Sequence, residues 1–532
     1  METKRQIKVA GRLNKDLSRL VRKSAKGSFI LILGQFISTL VSAIGVIIIA
    51  RFLGSTNYGQ VTVAMIPVSI ALLFSDLGVN SALVRHLSQF RHEEDFNALK
   101  IYVKAGLLIN AVVGVLISVA IYALSGVLAG VFNQPDLELL IKIGAISILA
   151  QNMFSTAQSI FTGFERMELQ SYATILFAVL KTLIGPLLIW LGYGPVGAII
   201  GLTLPYIVAG FAGVLLVIFL LIRGLQEDGK ESLLEACRTM LVYGYPLFFS
   251  AFLGGGLAQI NNFQMALYVT RDLVGNYSAA TNFGVLISFL TQPIAIALFP
   301  LYSKLDFRKD ESLKVVFQST VKYAALITMP IVIVLVSLSD QIIRIVYPHG
   351  FSYASQYLQI FALTFVFNAV GALSLGNLLN SQGRTDINFR MTLSTLAIGL
   401  PLSFLLIPKY GIMGLLLIQL VASRPGLFYG LWWIKRNFGF TVDWFSSVKI
   451  LLASLFTWAA TKIVIDFFDL RYIYEFFIGG ILIVVIFLLL LPLTGAIDGT
   501  DIRNIRSIGS TIKPLEPFVN LVLSILEKLV RK

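Results

Sequence analysis

The feature that most constrains this chain is a series of apolar stretches near 20 residues long, recurring from residue 28 to residue 494. A helix rises about 1.5 Å per residue, so roughly 20 apolar residues match the roughly 30 Å hydrocarbon layer of a bilayer. Membrane strands need only about 10 residues, and backbone groups in hydrocarbon must bond within their own segment or a closed barrel. These stretches are too long for barrel strands, so the expected fold is an all-α polytopic membrane protein. Only 13% of the 532 residues are charged, half of what a soluble protein of this length carries.

Spans are expected at about 28–50, 58–78, 105–130, 139–160, 171–191, 196–222, 243–268, 276–301, 319–339, 353–379, 391–407, 412–434, 448–466 and 475–494, about 14 transmembrane helices in all. Residues 1–27 hold nine Lys or Arg and place Leu13, Leu17, Leu20 and Val21 on one helical face, which reads as a cytoplasmic basic amphipathic segment. Residues 28–222 form an N-terminal six-helix lobe, 223–242 an inter-lobe linker, and 243–434 a C-terminal six-helix lobe. Helices 13 and 14 occupy 448–494. Residues 495–532 form a cytoplasmic tail whose Leu515, Phe518, Val522, Ile525 and Leu529 repeat at helical spacing.

With those spans, 31 Lys and Arg fall outside the membrane on the side of the termini and five on the other: Arg51, Arg271, Arg344, Lys409 and Arg471. Cytoplasmic loops are rich in Lys and Arg, so both termini are expected in the cytoplasm of a multi-pass plasma-membrane protein. The same bias explains the net charge of +14 without nucleic acid, for which no basic soluble domain is present. Cys237 is the only cysteine, and His86, His92 and His349 are scattered, so neither a metal cluster nor a cofactor is expected.

The two lobes repeat. Ala82–Ser88 resembles Ala297–Ser303 at an offset of 215, and Gly59–Ala64 resembles Gly275–Ala280 at 216. Gly192–Gly197 resembles Lys409–Gly414 at 217, and Gly163–Arg166 resembles Gly383–Asp386 at 220, as Pro205 does Pro425. Five matches in order argue for a duplicated unit. Six helices is an even number, so the copies are parallel repeats.

Two motifs open the first lobe: Ala50-Arg51-x-Leu53-Gly54-x3-Tyr58-Gly59, then Asp76-Leu77-Gly78-x3-Ala82-Leu83-Val84-Arg85. With Gly275-x-Tyr277-Ser278-Ala279-Ala280 and Leu298-Phe299-Pro300-x-x-Ser303 in the second lobe, the pattern resembles Wzx-type polysaccharide flippases, members of the superfamily of multidrug, oligosaccharidyl-lipid and polysaccharide exporters. The resemblance covers roughly residues 28–490. It implies two lobes plus two extra helices, and movement of a lipid-linked oligosaccharide from inner to outer leaflet by alternating access. It implies as partners the lipid-linked saccharide and glycan-assembly enzymes, while Arg85, Arg91, Lys100 and Lys104 of the first inner loop point to anionic inner-leaflet lipids.

A charge at the bilayer centre costs about 2.5–3.5 kcal/mol on insertion scales, which makes mid-span cations candidates for function. Lys181 and Arg424 fall mid-span in different lobes, where a phosphate or pyrophosphate headgroup would need them. A structural hydrogen bond to neighbouring helices is the competing role. Arg51 and Arg271 sit at outer helix ends and Arg85 in the first inner loop, where anchoring competes with headgroup contact. Gln259, Asn262, Asn282 and Asn368 offer amides for sugar hydroxyls, or for helix-to-helix bonding.

The rivals are an ion-coupled multidrug exporter of the same superfamily, a membrane enzyme and a structural scaffold. The exporter resemblance implies buried carboxylates, yet Asp76, Asp340, Asp466 and Glu475 all fall near span ends. The outer loops are short and lack paired carboxylates, so catalysis is not expected. A scaffold gives no reason for Lys181 and Arg424.

Overall fold

The computed structural model describes residues 2–223, 232–303, 305, 312–347, 349–468, 471–509, 523, 524, 526 and 527, with side chains from residue 30 onward except at 222, 292–297, 299–301, 505 and 507–509. The tail positions Leu515, Phe518, Val522, Ile525 and Leu529 lie outside the described residues. Helices make up the chain among the described residues, and it divides into two compact units, Met1–Leu267 and Tyr268–Lys532.

Eleven described helices are long and apolar enough to cross a membrane, or twelve with the pair Ala354–Val370 and Leu375–Ser381, bent by 46°. The expected count of fourteen is thus not confirmed. Two of the eleven are far longer than one crossing requires: Ile30–Leu72 has 43 residues and Met167–Leu221 has 55. Forty-three helical residues would measure about 65 Å, twice the hydrocarbon layer. Each is interrupted at glycine. Gly54 takes φ 72° and ψ 171° inside the first, and Gly192 and Gly194 take φ 93° and 52° inside the second. These backbone angles exclude most side chains, so the breaks are written in the sequence.

In the first unit, Gly78 (φ 77°) caps the helix Val79–His92, whose Val79, Ala82, Leu83 and Leu87 are buried while Arg85, Ser88 and Gln89 face outward. The buried face packs on Leu99, Tyr102, Val103, Ile160, Phe161 and Met240. A Cβ on Gly78 would lie 2.6 Å from the Gly244 Cα, so two glycine backbones touch where this turn meets the helix Leu233–Tyr268. Ile30–Leu72 packs on Met167–Leu188 through small residues. Ser171 Oγ donates to the Ile30 carbonyl at 3.1 Å and Thr182 Oγ1 to the Val41 carbonyl at 2.8 Å. A Cβ on Gly45 would stand 2.8 Å from the Thr182 Cα. Small residues with cross-helix hydrogen bonds hold helices together in lipid, where the hydrophobic effect between them is absent.

In the second unit, Thr385–Tyr410 packs on Arg424–Phe438 by the same device, with Gly426 and Gly430 against Met391. The short helix Gly499–Gly509 after the last span is held by a nearly buried ion pair. Lys322 Nζ lies 2.5 Å from Asp501 Oδ2, with side-chain exposures of 15% and 10%.

The repeat is visible in backbone geometry. Gly194 has φ 52° and ψ −133°; Gly411 has φ 56° and ψ −129°. Arg166 N donates to the Phe161 carbonyl at 2.8 Å, and Arg384 N donates to the Leu379 carbonyl at 2.8 Å. Arg166 pairs with Glu168, and Arg384 with Asp386. The left-handed residues of this corner are Glu165 and Gly383. The corner therefore aligns at an offset of 218, and the alignment of Gly163 with Gly383 at 220 is corrected: sequence alone matched glycine to glycine, whereas a non-glycine residue makes the first turn. One element breaks the symmetry. Leu137–Gly163 is a continuous helix, whereas its counterpart is Ala354–Leu363, a 3₁₀ stretch Thr364–Val370, a left-handed Gly371 and Leu375–Ser381.

Candidate functional site

Arg424 stands at the symmetry-breaking region of the second unit. Ile412–Val421 ends just before it, and Arg424–Phe438 begins with it, so mid-span in sequence is a helix break in structure. Its Nε donates to the Leu420 carbonyl at 2.7 Å and its Nη2 to the Thr364 carbonyl at 3.1 Å. Its guanidinium lies 3.7 Å from the Phe367 ring centroid. Carbonyls in the last turn of a helix lack intrahelical partners, and the Leu420 carbonyl belongs to such a turn. Two of the five guanidinium donors are thus structural, and among the described residues no carboxylate takes the others. A helix N-terminus carries partial positive charge, so cation and helix end together form a region suited to an anion.

Lys181 lies in the helix Met167–Leu188 of the first unit and is half-buried. Its ammonium is 5.9 Å from the Phe177 ring centroid, and among the described residues no hydrogen-bond acceptor meets it. The Phe177 ring packs in tilted contact with Tyr206, centroids 4.3 Å apart, and with Phe154, 5.5 Å apart. One turn away along the same faces, Gln158 Nε2 donates to Thr174 Oγ1 at 2.7 Å, while Gln158 Oε1 is buried with no partner among the described residues. A cation, an aromatic shelf and an unfilled amide acceptor are the groups that bind a phosphorylated sugar.

The other expected residues divide. Arg51 is exposed just before the Gly54 break. Arg85 is exposed, and its guanidinium lies over the Tyr243 ring of the helix Leu233–Tyr268, 4.5 Å from the centroid. Asn262 Nδ2 reaches Gln259 Oε1 at 3.5 Å, a contact within one helix. Arg271 opens and Asn282 closes the helix Arg271–Asn282. Asn368 lies in the 3₁₀ stretch, on the same segment as Thr364 and Phe367. Asp76, two residues before the Gly78 cap, accepts from the backbone N–H of Asn80 in the first helical turn at 2.9 Å. Sequence reasoning missed Phe154, Gln158, Phe177 and Tyr206, and in the second unit Thr364, Phe367 and the Gln419 amide donating to Tyr277 Oη at 2.7 Å. Every Asp and Glu within the candidate spans lies in a first or last turn.

A family model described as polysaccharide biosynthesis protein matches residues 24–306. The chain belongs to that family. A second model, described as MatE, matches residues 246–405. Within the polysaccharide biosynthesis family, the chain is similar to lipopolysaccharide biosynthesis protein WzxC of Escherichia coli, at 21% identity over 64% of this chain and 67% of that protein. It is also similar to a probable low-salt glycan biosynthesis flippase, Agl15, of Haloferax volcanii, at 20% identity over 73% of this chain and 79% of that one. Among solved structures, the lipid II flippase MurJ in an inward closed conformation matches with TM-score 0.72 and 16% identity, covering 87% of this chain and 98% of that one. An inward-facing multidrug resistance MATE family transporter matches with TM-score 0.62 and 15% identity, over 75% and 94%. These likenesses establish the fold as that of the polytopic, lobed transporters.

Proposed function

We propose that the chain is a non-enzymatic flippase that moves a polyprenyl-(pyro)phosphate-linked oligosaccharide from the inner to the outer leaflet by alternating access. Both termini lie in the cytoplasm. Lys181 and Arg424 contact the phosphate-bearing headgroup, each within its own lobe. Lobes 28–222 and 243–434, with the extra helices 448–494, act as the moving parts. Anionic inner-leaflet lipids and glycan-assembly enzymes are the partners on either side of the step.

The observation that carries this reading is the pair of mid-span cations. In a family of polysaccharide biosynthesis proteins, each sits in a candidate span with no carboxylate partner among the described residues. A cation held at such depth needs an anion that arrives from elsewhere. The test is a strain lacking the gene, examined for lipid-linked saccharide trapped in the inner leaflet. Rescue by the wild-type chain and failure of rescue by K181A/R424A are expected. Unchanged surface glycan in the deletion strain would remove the reading. Orientation is tested with a cysteine at Leu234, 80% exposed, in a C237S background: an impermeant thiol reagent should label it only in opened cells.

An ion-coupled multidrug exporter is the second reading, favoured by the MatE match over residues 246–405. The absence of carboxylates from the span interiors argues against it. Gradient-driven efflux of a cationic dye by the purified chain would restore it.

A further inference from the structure

One set of cations lies outside the proposed headgroup sites. In the second unit, Arg390 Nη1 reaches Tyr429 Oη at 3.4 Å across two helices. The Tyr429 ring is 5.9 Å from the Trp432 ring, and the Arg436 guanidinium is 5.5 Å from the same indole. Residues 429, 432 and 436 share one face of Arg424–Phe438, so the four side chains form a continuous strip. Arg390, Trp432, Lys435 and Arg436 are exposed. Among the described residues none of the three cations forms a close ion pair, and the carboxylate that acts on Arg390, that of Asp386, is shared with Arg384. The neighbouring Arg384 is instead committed to Asp386, at 3.0 Å, and to the Trp433 ring, at 4.3 Å.

Beside the strip lies an apolar surface. Phe389 and Phe428 are 45% and 46% exposed, and Trp432 is 51% exposed. An indole at the junction of apolar surface and cations is the arrangement of a membrane–water boundary. Guanidinium groups recognise phosphate by paired N–H donors, and a tyrosine hydroxyl that receives one of them leaves the others directed outward.

We propose that Arg390, Tyr429, Trp432 and Arg436 form a binding site for the phosphate headgroup of an anionic glycerophospholipid of the surrounding bilayer. The guanidinium groups take the phosphodiester, the indole lies at the level of the glycerol, and the acyl chains lie along Phe389 and Phe428. Charge complementarity selects the occupant. Two guanidinium groups beside exposed aromatics, with Lys435 adjacent and only the Arg384-bound Asp386 as a nearby carboxylate, attract a negative headgroup and give a zwitterionic one no comparable gain. The site rests on the proposed function in one respect, the anionic-lipid partner named there, and its test involves no transport.

The test uses the full chain in phosphatidylcholine liposomes containing brominated phosphatidylglycerol or brominated phosphatidylcholine. The signal of Trp432 is the difference in quenching between the wild type and W432F. Phosphatidylglycerol should reach half-quenching at a mole fraction about fivefold lower than phosphatidylcholine, a net preference of about 1 kcal/mol for the whole site. R390Q/R436Q should abolish that preference, whereas R390K/R436K should keep at least half of it. Equal quenching by the two lipids in the wild type, or a preference that survives R390Q/R436Q, would overturn the proposal. So would displacement of brominated phosphatidylglycerol by a prenyl monophosphate more readily than by unbrominated phosphatidylglycerol, which would assign the site to a carrier lipid.

Discussion

Arg424 donates to the Thr364 carbonyl at 3.1 Å, joining two broken stretches of helix 60 residues apart in sequence. The 3₁₀ stretch that carries Thr364 has no equivalent in the continuous helix of the first repeat. The duplicated fold has thus diverged at the place where the second unit holds its mid-span cation.

Removal of Arg424 should therefore act on stability and transport together. In R424A, the Leu420 and Thr364 carbonyls lose their donor, at about 1–3 kcal/mol for each buried polar group left unpaired. The melting temperature in detergent should fall by several degrees and flipping should be lost. R424K restores charge but not two divergent donors, so it should recover less than half of the transport. A melting curve beside a transport assay reads both effects.

Lys181 should separate them. Its ammonium meets a ring and no hydrogen-bond acceptor among the described residues. K181A should keep or raise the melting temperature while lowering flipping about tenfold or more, the loss of one charge-assisted contact. K181R should retain much of the activity. Equal losses of stability and transport in K181A would make the lysine structural.

Much of the frame was legible in the sequence. Gly54 falls between the expected spans 28–50 and 58–78 and Gly78 ends the second of them, and both take positive φ. The repeat was legible because its glycines are constrained, although the corner at Glu165 and Gly383 was misaligned because a positive φ there does not require glycine. The surroundings of the cations were not legible. The Thr364 and Leu420 partners of Arg424 are backbone carbonyls, which every residue possesses, and only the helix break frees them. The Phe154, Phe177 and Tyr206 shelf looks like any apolar face until three helices bring the rings together.

His86 gives a pH dependence. Burial first, and then the Arg85 charge, hold its imidazole below the ordinary value of 6.5. It packs among Phe90, Tyr102 and Tyr243, and its Nε2 is buried without a partner among the described residues. The folded state favours the neutral ring, so this contribution is complete above the unfolded value near 6.5. It is lost as pH falls through the lower folded value. H86F should keep the ring packing and flatten the fall in melting temperature below pH 6.5. An identical fall in wild type and H86F would refute the assignment.

Asp501 accepts from both Lys322, at 2.5 Å, and Tyr323, at 3.3 Å, and fixes the segment after the last span. D501N would leave Lys322 nearly buried without its ion-pair partner and with only the more distant Asp443 and Asp498 carboxylates, at a cost of about 1–3 kcal/mol. Limited proteolysis should then cut near residues 498–509 at least about tenfold faster. Unchanged cleavage would show that the ion pair does not hold this helix.

Headgroup transfer itself is read most directly in liposomes containing the purified chain and a polyprenyl-pyrophosphate-linked oligosaccharide with a fluorophore on the sugar. A membrane-impermeant reductant bleaches only the outer leaflet, so without flipping about half of the signal survives. The wild-type chain should carry the protected half to the outside and allow nearly complete bleaching, while K181A/R424A at equal incorporation should leave it protected. Protection that is equal in empty, wild-type and variant liposomes would contradict flippase activity. Complete bleaching by the double variant would contradict the role of the two cations.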